Sequence, residues 1–159
     1  MTLPYRVEAA NHWGITVSSL EKSLDFFVGV LGFAPGATVD LDESFSAGIT
    51  GVENAVIRVA FVEGPGVTIE LVQYLAPARL VTQHRSPSEV GSAHLAFFVD
   101  DIDAIVLAAA PSGFSLAGTV QNIRVGPRAG GRAAYLRDAD GTTLELVQRA
   151  PNPRIIQNP

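Results

Sequence analysis

A repeated octapeptide constrains this chain more than any other feature. Residues 66–73 read GVTIELVQ and residues 141–148 read GTTLELVQ, with six of eight positions identical. Self-similarity of this kind is the mark of a duplicated structural unit. Each copy follows a glycine turn and alternates along its length, which predicts a β-strand. A second pair precedes the first. Residues 11–17 (NHWGITV) and 93–99 (AHLAFFV) also read as strands, each with a histidine near its start.

Both histidine strands run into a predicted helix. In the first half Ser18 is the expected cap and Glu21 closes a capping box, with Leu20, Leu24, Phe27 and Leu31 as the apolar stripe. In the second half Asp101 is the expected cap and Ile102, Ile105, Val106 and Ala109 form the stripe. The pairs Gly32-Phe33 and Gly113-Phe114 are the expected helix stops. Two further strands fit into each half, at 37–41 and 56–62 and at 115–124 and 133–137. The hairpins before the last strands use Glu63-Gly-Pro-Gly66 and Asp138-Ala-Asp-Gly141. The expected fold class is therefore α+β, built from two tandem βαβββ modules at 8–75 and 92–149. A proline-bearing linker at 76–91 joins them, and a proline-rich tail occupies 150–159.

The strand pattern sets two kinds of side chain on opposite faces. Glu70 shares a face with Thr68 and Val72, and Glu145 with Thr143 and Val147. His12 shares a face with Gly14 and Thr16, and His94 with Ala96 and Phe98. A carboxylate amid apolar strand residues is costly to bury unless something pairs with it. A lone strand histidine or glutamate is usually structural or solvated. Here two histidines and two glutamates recur at matching repeat positions, with small neighbours, Gly14 and Ala96, beside each imidazole. The chain has no cysteine, so any metal must be held by nitrogen and oxygen. Two neutral imidazoles and two carboxylates form an N2O2 set of net charge −2, suited to one divalent ion. His84 has no repeat partner and is expected at the surface.

The whole chain excludes several other functions. With 159 residues, 47% hydrophobic and 17% charged, it has material for a core and no disordered composition. A formal net charge of −5 and the absence of a basic run argue against nucleic acid or anionic membrane as partners. No apolar run reaches the ~20 residues that span a bilayer. The first residues, MTLPYR, carry no apolar stretch of a secretory leader, so a cytoplasmic protein is expected.

Several segments resemble the vicinal oxygen chelate superfamily, which includes glyoxalase I, methylmalonyl-CoA epimerase, extradiol dioxygenases, and fosfomycin and bleomycin resistance proteins. The resemblance is carried by His12-x-Gly-Ile-x-Val17, Leu20-Glu-Lys-Ser-Leu-x-Phe-Phe27, Leu31-Gly-Phe33, His94-Leu-Ala-Phe-x-Val-Asp-Asp-Ile102 and Tyr135-Leu-Arg-Asp-x-Asp-Gly-x-x-Leu-Glu-Leu146. It covers about residues 8 to 149 and departs from the usual Asp-Pro-Asp-Gly turn at Ala139. It implies a cup-shaped fold and metal ligands His12, Glu70, His94 and Glu145. The implied cofactor is one divalent ion (Ni, Co, Zn, Mn or Fe). Glu70 is the fourth ligand of the glyoxalase I pattern, whereas the dioxygenases and fosfomycin resistance proteins resemble a two-His, one-Glu set.

The activity implied is a lyase or isomerase of lactoylglutathione lyase or acyl-CoA epimerase type, moving a proton alpha to a carbonyl through a metal-bound enediolate. Glu145 or Glu70 would then be the base, with Glu145 favoured. A ring-cleaving dioxygenase and a drug- or metabolite-binding resistance protein remain as alternatives, because the fold hosts several chemistries. A small-molecule substrate and a homodimer are expected. Phe45, Phe61, Phe98 and Tyr135 are candidate walls, Arg79, Arg85, Arg128 and Arg132 candidate anion contacts, and residues 128–132 a mobile loop or an ordinary hairpin.

Overall fold

The computed structural model describes residues 4–78 and 86–151. His84, Arg79, Arg85, much of the expected linker and nearly all of the tail lie outside the described residues. The chain divides into two compact units, Met1–Arg79 and Leu80–Pro159.

In the first unit, β1 (Trp13–Thr16) leads into α1 (Leu20–Leu24), which continues as a π-helical segment, Asp25–Val30. Then come β2 (Ala34–Leu41), α2 (Glu43–Thr50), β3 (Val56–Gly64) and β4 (Val67–Ala76). The sheet order is β1-β4-β3-β2. β1 and β4 run parallel, and the other neighbours antiparallel. Ile69 and Leu71 of β4 are fully buried, as are Phe26 and Phe27 of the helical segment that follows β1.

The second unit repeats this plan with β5 (Leu95–Val99), α3 (Ile102–Ala109), β6 (Ser115–Leu116), β7 (Gln121–Asn122), β8 (Arg132–Arg137) and β9 (Thr143–Gln148). Its order is β5-β9-β8-β6, with β7 also on β8, and β5 is parallel to β9. Leu144 and Leu146 of β9 and Ile102 of α3 are its fully buried counterparts.

Several details differ from the sequence reading. Ser19, not Ser18, caps α1: its backbone is extended and its side chain accepts from the Lys22 amide. Three residues beyond this cap stands Lys22, so Glu21 closes no capping box. The helix then widens, with the Leu31 amide reaching back five residues to Phe26. Within this wider segment the consecutive rings of Phe26 and Phe27 are both buried, packed edge-to-face at 5.2 Å between centroids.

The first unit also holds α2, which the reading passed over. Asp42 caps it and accepts from the Phe45 amide. Its sequence, ESFSAGIT, has Phe45 and Ile49 at helical spacing, but both are exposed and only Ser46 is buried. In the second unit the strand expected at 115–124 is broken into the two short pairings of β6 and β7. The Asp101 cap and the glycine stops stand where expected. Asp101 accepts from the Ala104 amide, and Gly32 and Gly113 adopt positive φ of 71° and 85°.

One residue of the octapeptide ties the layers of each unit together. The Gln73 side chain accepts the Leu20 amide at 3.0 Å, and the Gln148 side chain accepts the Ile102 amide at 3.3 Å. Each glutamine thus satisfies an orphan N–H at a helix start and fixes the helix against the strand.

Two substitutions test this packing. A Cβ at Gly64 would stand 2.3 Å from the buried Phe33 ring. Gly64→Ala is expected to cost about 2 kcal/mol in urea unfolding. At the β8–β9 turn the Asp138 carboxylate accepts the Asp140 and Thr142 amides, yet burial pushes its pKa up. Asp138→Asn keeps the acceptor and removes the buried charge. The variant should be more stable than wild type at pH 7, and the gain should vanish as the pH falls and Asp138 itself becomes neutral. Equal stability at neutral pH would contradict it.

Candidate metal centre

The parallel pairing of the histidine strand with the glutamate strand positions both donors. Gly14 lies opposite Glu70 on β4, and Phe61 of β3 flanks Glu70 on the other side. The expected strands began at 11 and 93, but His12 stands one residue before β1 and His94 one residue before β5; each lead-in still brings its imidazole to the glutamate face. His12 Nε2 stands 3.1 Å from Glu70 Oε2. In the second unit Ala96 lies opposite Glu145, and Tyr135 flanks it. His94 Nε2 again stands 3.1 Å from Glu145 Oε2. The two pairs thus agree in register, in the atoms that face each other and in separation.

The carboxylates are sheltered rather than solvated, with side chains 22% exposed at Glu70 and 20% at Glu145. A Cβ at Gly14 would sit 3.8 Å from Glu70 Oε2, an ordinary contact. That position therefore admits the alanine found at 96, but a longer side chain would press on the carboxylate.

The hydrogen bonding orients the imidazole of the first pair. Asn11 Oδ1 contacts His12 Nδ1. With the proton on Nδ1, the Nε2 lone pair points at a carboxylate oxygen. Two acceptors at that range repel unless a proton or a cation lies between them. The spacing fits a cation, because two donors about 2.1 Å from one ion and at right angles are about 3.0 Å apart. Nitrogen and oxygen donors of this type suit divalent first-row metals. Within each unit, the described residues place no third histidine, aspartate or glutamate beside the pair.

The surroundings of the pairs differ. His12 meets the Phe61 ring edge-on at 6.2 Å between centroids. His94 lies against the Tyr135 ring at 5.0 Å, with the phenol oxygen 3.4 Å from Nε2. Burial, and then the charge of Glu145, push the Tyr135 phenol up, so it stays protonated and able to donate.

Among the other expected residues, Phe61, Phe98 and Tyr135 lie on the donor faces, whereas Phe45 is exposed on α2. Arg132 is no free anion contact. It forms a two-pronged pair with Asp103 at 2.7 and 2.9 Å. Residues 128–132 form a pinned turn, held by Gly130 donating to the Ile123 carbonyl and Ile123 to the Gly131 carbonyl, both at 2.8 Å. Sequence reading missed Asn11, which has Ala93 at the matching place, and Arg149, which follows the octapeptide without a motif of its own.

Comparisons with known proteins identify the family. Residues 11–135 match the family model described as the glyoxalase/bleomycin resistance protein/dioxygenase superfamily. The chain belongs to that superfamily. A 2-epi-5-epi-valiolone epimerase from Actinomyces sp. is 32% identical over 145 residues, covering 87% of this chain and 78% of the relative. A glyoxalase family protein from Bacillus cereus superposes with a TM-score of 0.79 at 20% identity, covering 95% of this chain and all of its own. The fosfomycin resistance protein FosX from Listeria monocytogenes, solved with Mn(II) and sulfate, superposes with a TM-score of 0.59 at 16% identity. That match covers 93% of this chain and 96% of FosX. The α+β architecture is thus the vicinal oxygen chelate fold.

Proposed function

We propose that this chain is a divalent-metal-dependent isomerase of the epimerase type, acting on a small molecule at a carbon next to a carbonyl. His12, Glu70, His94 and Glu145 are its donors to one cation, the two pairs coming from one chain or one from each of two chains. The observation that carries the proposal is the identical 3.1 Å approach of imidazole Nε2 to carboxylate Oε2 in both units. One pair alone gives too few donors for a stable site, whereas two pairs give the N2O2 set that a divalent ion takes. The epimerase name of the relative at 32% identity favours the epimerase branch over the lyase branch.

A bound divalent cation supplies Lewis acidity toward a substrate carbonyl oxygen, a contribution of several kcal/mol. The protein's own side chains do the rest. Asn11 holds His12 by Nδ1, fixing the ring so that Nε2 faces inward. Glu145, sheltered beside Tyr135, takes the proton from the substrate carbon. Its neighbour Tyr135, kept neutral, contributes a donor to that oxygen-rich surface and no second negative charge. Epimerisation needs a proton returned as well as removed, and Glu70, the matching carboxylate of the first unit, is the residue proposed to return it.

Two measurements follow. Glu145→Gln keeps an oxygen donor and loses the base. Exchange of substrate α-protons with solvent deuterium, followed by NMR over a panel of hydroxyketones, thiol adducts and acyl-CoAs, is expected to fall about 100-fold or more. A wild-type exchange rate in that variant would assign the base elsewhere. Asn11→Ala should weaken metal affinity about tenfold in competition with a chelating dye, since it frees the His12 ring. Unaltered affinity would remove Asn11 from the site.

A further inference from the structure

The two units match at their donors and differ at what stands next to them. Two residues beyond Ala96 on β5 is Phe98, paired with Val147 and therefore on the face that carries Glu145. Its ring is 54% exposed. Two guanidinium groups lie over it, that of Arg149 at 4.0 Å and that of Arg128 at 5.4 Å from the ring centroid. At the matching places of the first unit stand Thr16 and Tyr74. Arg6, Arg58 and Arg132 each pair with a carboxylate. Among the described residues Arg128 and Arg149 have no such partner.

The backbone builds this arrangement. Gly131 has no room for a Cβ, which would meet the Gln148 carbonyl at 2.5 Å, and a Cβ at Gly130 would meet Ala150 at 3.2 Å. The turn bearing Arg128 is thereby pressed against the end of β9, where Arg149 emerges. Two like charges held over one ring repel. An oxyanion within reach of both reverses the sign of that interaction, and the planar fork of arginine suits phosphate and carboxylate alike.

We infer that Arg128 and Arg149, set on Phe98, form a subsite for an anionic group of the substrate, a phosphate or a carboxylate. This rests on the reading of His94 and Glu145 as part of the active centre and names the substrate class for it: a carbonyl compound with an oxyanion at one end. Two residues of strand separate Phe98 from the Glu145 register, roughly 7 Å, a span of about five bonded atoms. The first unit offers no second such pair at the matching place, so the substrate would bind in one direction only.

Calorimetric titration of inorganic phosphate and of malonate into chelator-treated protein, at constant ionic strength in chloride, tests this without metal or turnover. Failure of the subsite is thus separable from failure of the metal reading. Saturable binding of either anion, one per chain, is expected. Arg128→Leu and Arg149→Leu should each weaken it about tenfold or more, Arg149→Lys less so, and Arg6→Leu, which removes the same charge elsewhere, should leave it unchanged. Tighter phosphate binding assigns a phosphorylated substrate, and tighter malonate binding a carboxylate. No saturable binding of either, or equal weakening by Arg6→Leu, overturns the inference.

Discussion

The parallel pairing of each unit's first strand with its last is the constraint on which the rest depends. It sets Gly14 against Glu70 and Ala96 against Glu145, and so brings a histidine and a glutamate from distant parts of the sequence to one face. Side chains alternate along a strand, so a slip of one residue would turn both carboxylates into the apolar layer and Ile69 and Leu71, or Leu144 and Leu146, out of it. Burial of those four side chains therefore fixes the register that the donors need. Gln73 and Gln148 add a polar lock, each holding the helix that begins just after the histidine strand.

Duplication has kept the donors and varied what surrounds them. Phe61 in one unit answers to Tyr135 in the other, Thr16 to Phe98, and Tyr74 to Arg149. An N2O2 set that repeats is suited to a cation, which has no direction of its own. A substrate does have direction, and in the proposed site the phenol and the two arginines of the second unit would supply it. Membership of the glyoxalase/bleomycin resistance protein/dioxygenase superfamily accounts for the fold, while the proposed chemistry would rest on these particular side chains.

Much of the architecture was legible because the repeat is close and the strands alternate strongly. The histidine and glutamate strands, the Asp101 cap and the glycine stops follow from local pattern alone. What escaped has local causes too. Phe26 falls outside the stripe read at Leu20, Leu24, Phe27 and Leu31, yet it is buried beside Phe27 where the helix widens. Helix α2 is held by its Asp42 cap and buries almost nothing; its one apolar pair at helical spacing, Phe45 and Ile49, is too short a stripe to read and is exposed. Arg132 looked like a free cation because Asp103, its partner, lies 29 residues away in sequence. The four residues of the two His–Glu pairs were each read from the repeat. Their pairwise 3.1 Å approach and the contact of Asn11 with His12 needed coordinates.

The central claim is that two His–Glu pairs serve one cation. Elemental mass spectrometry of protein purified without a metal-affinity step, on wild type and on His12→Ala and His94→Ala, tests it most directly. The account predicts one divalent ion for each pair of His–Glu sites, lost in both variants alike. Two ions per chain with each variant losing only one, or no ion bound even after reconstitution, would contradict it.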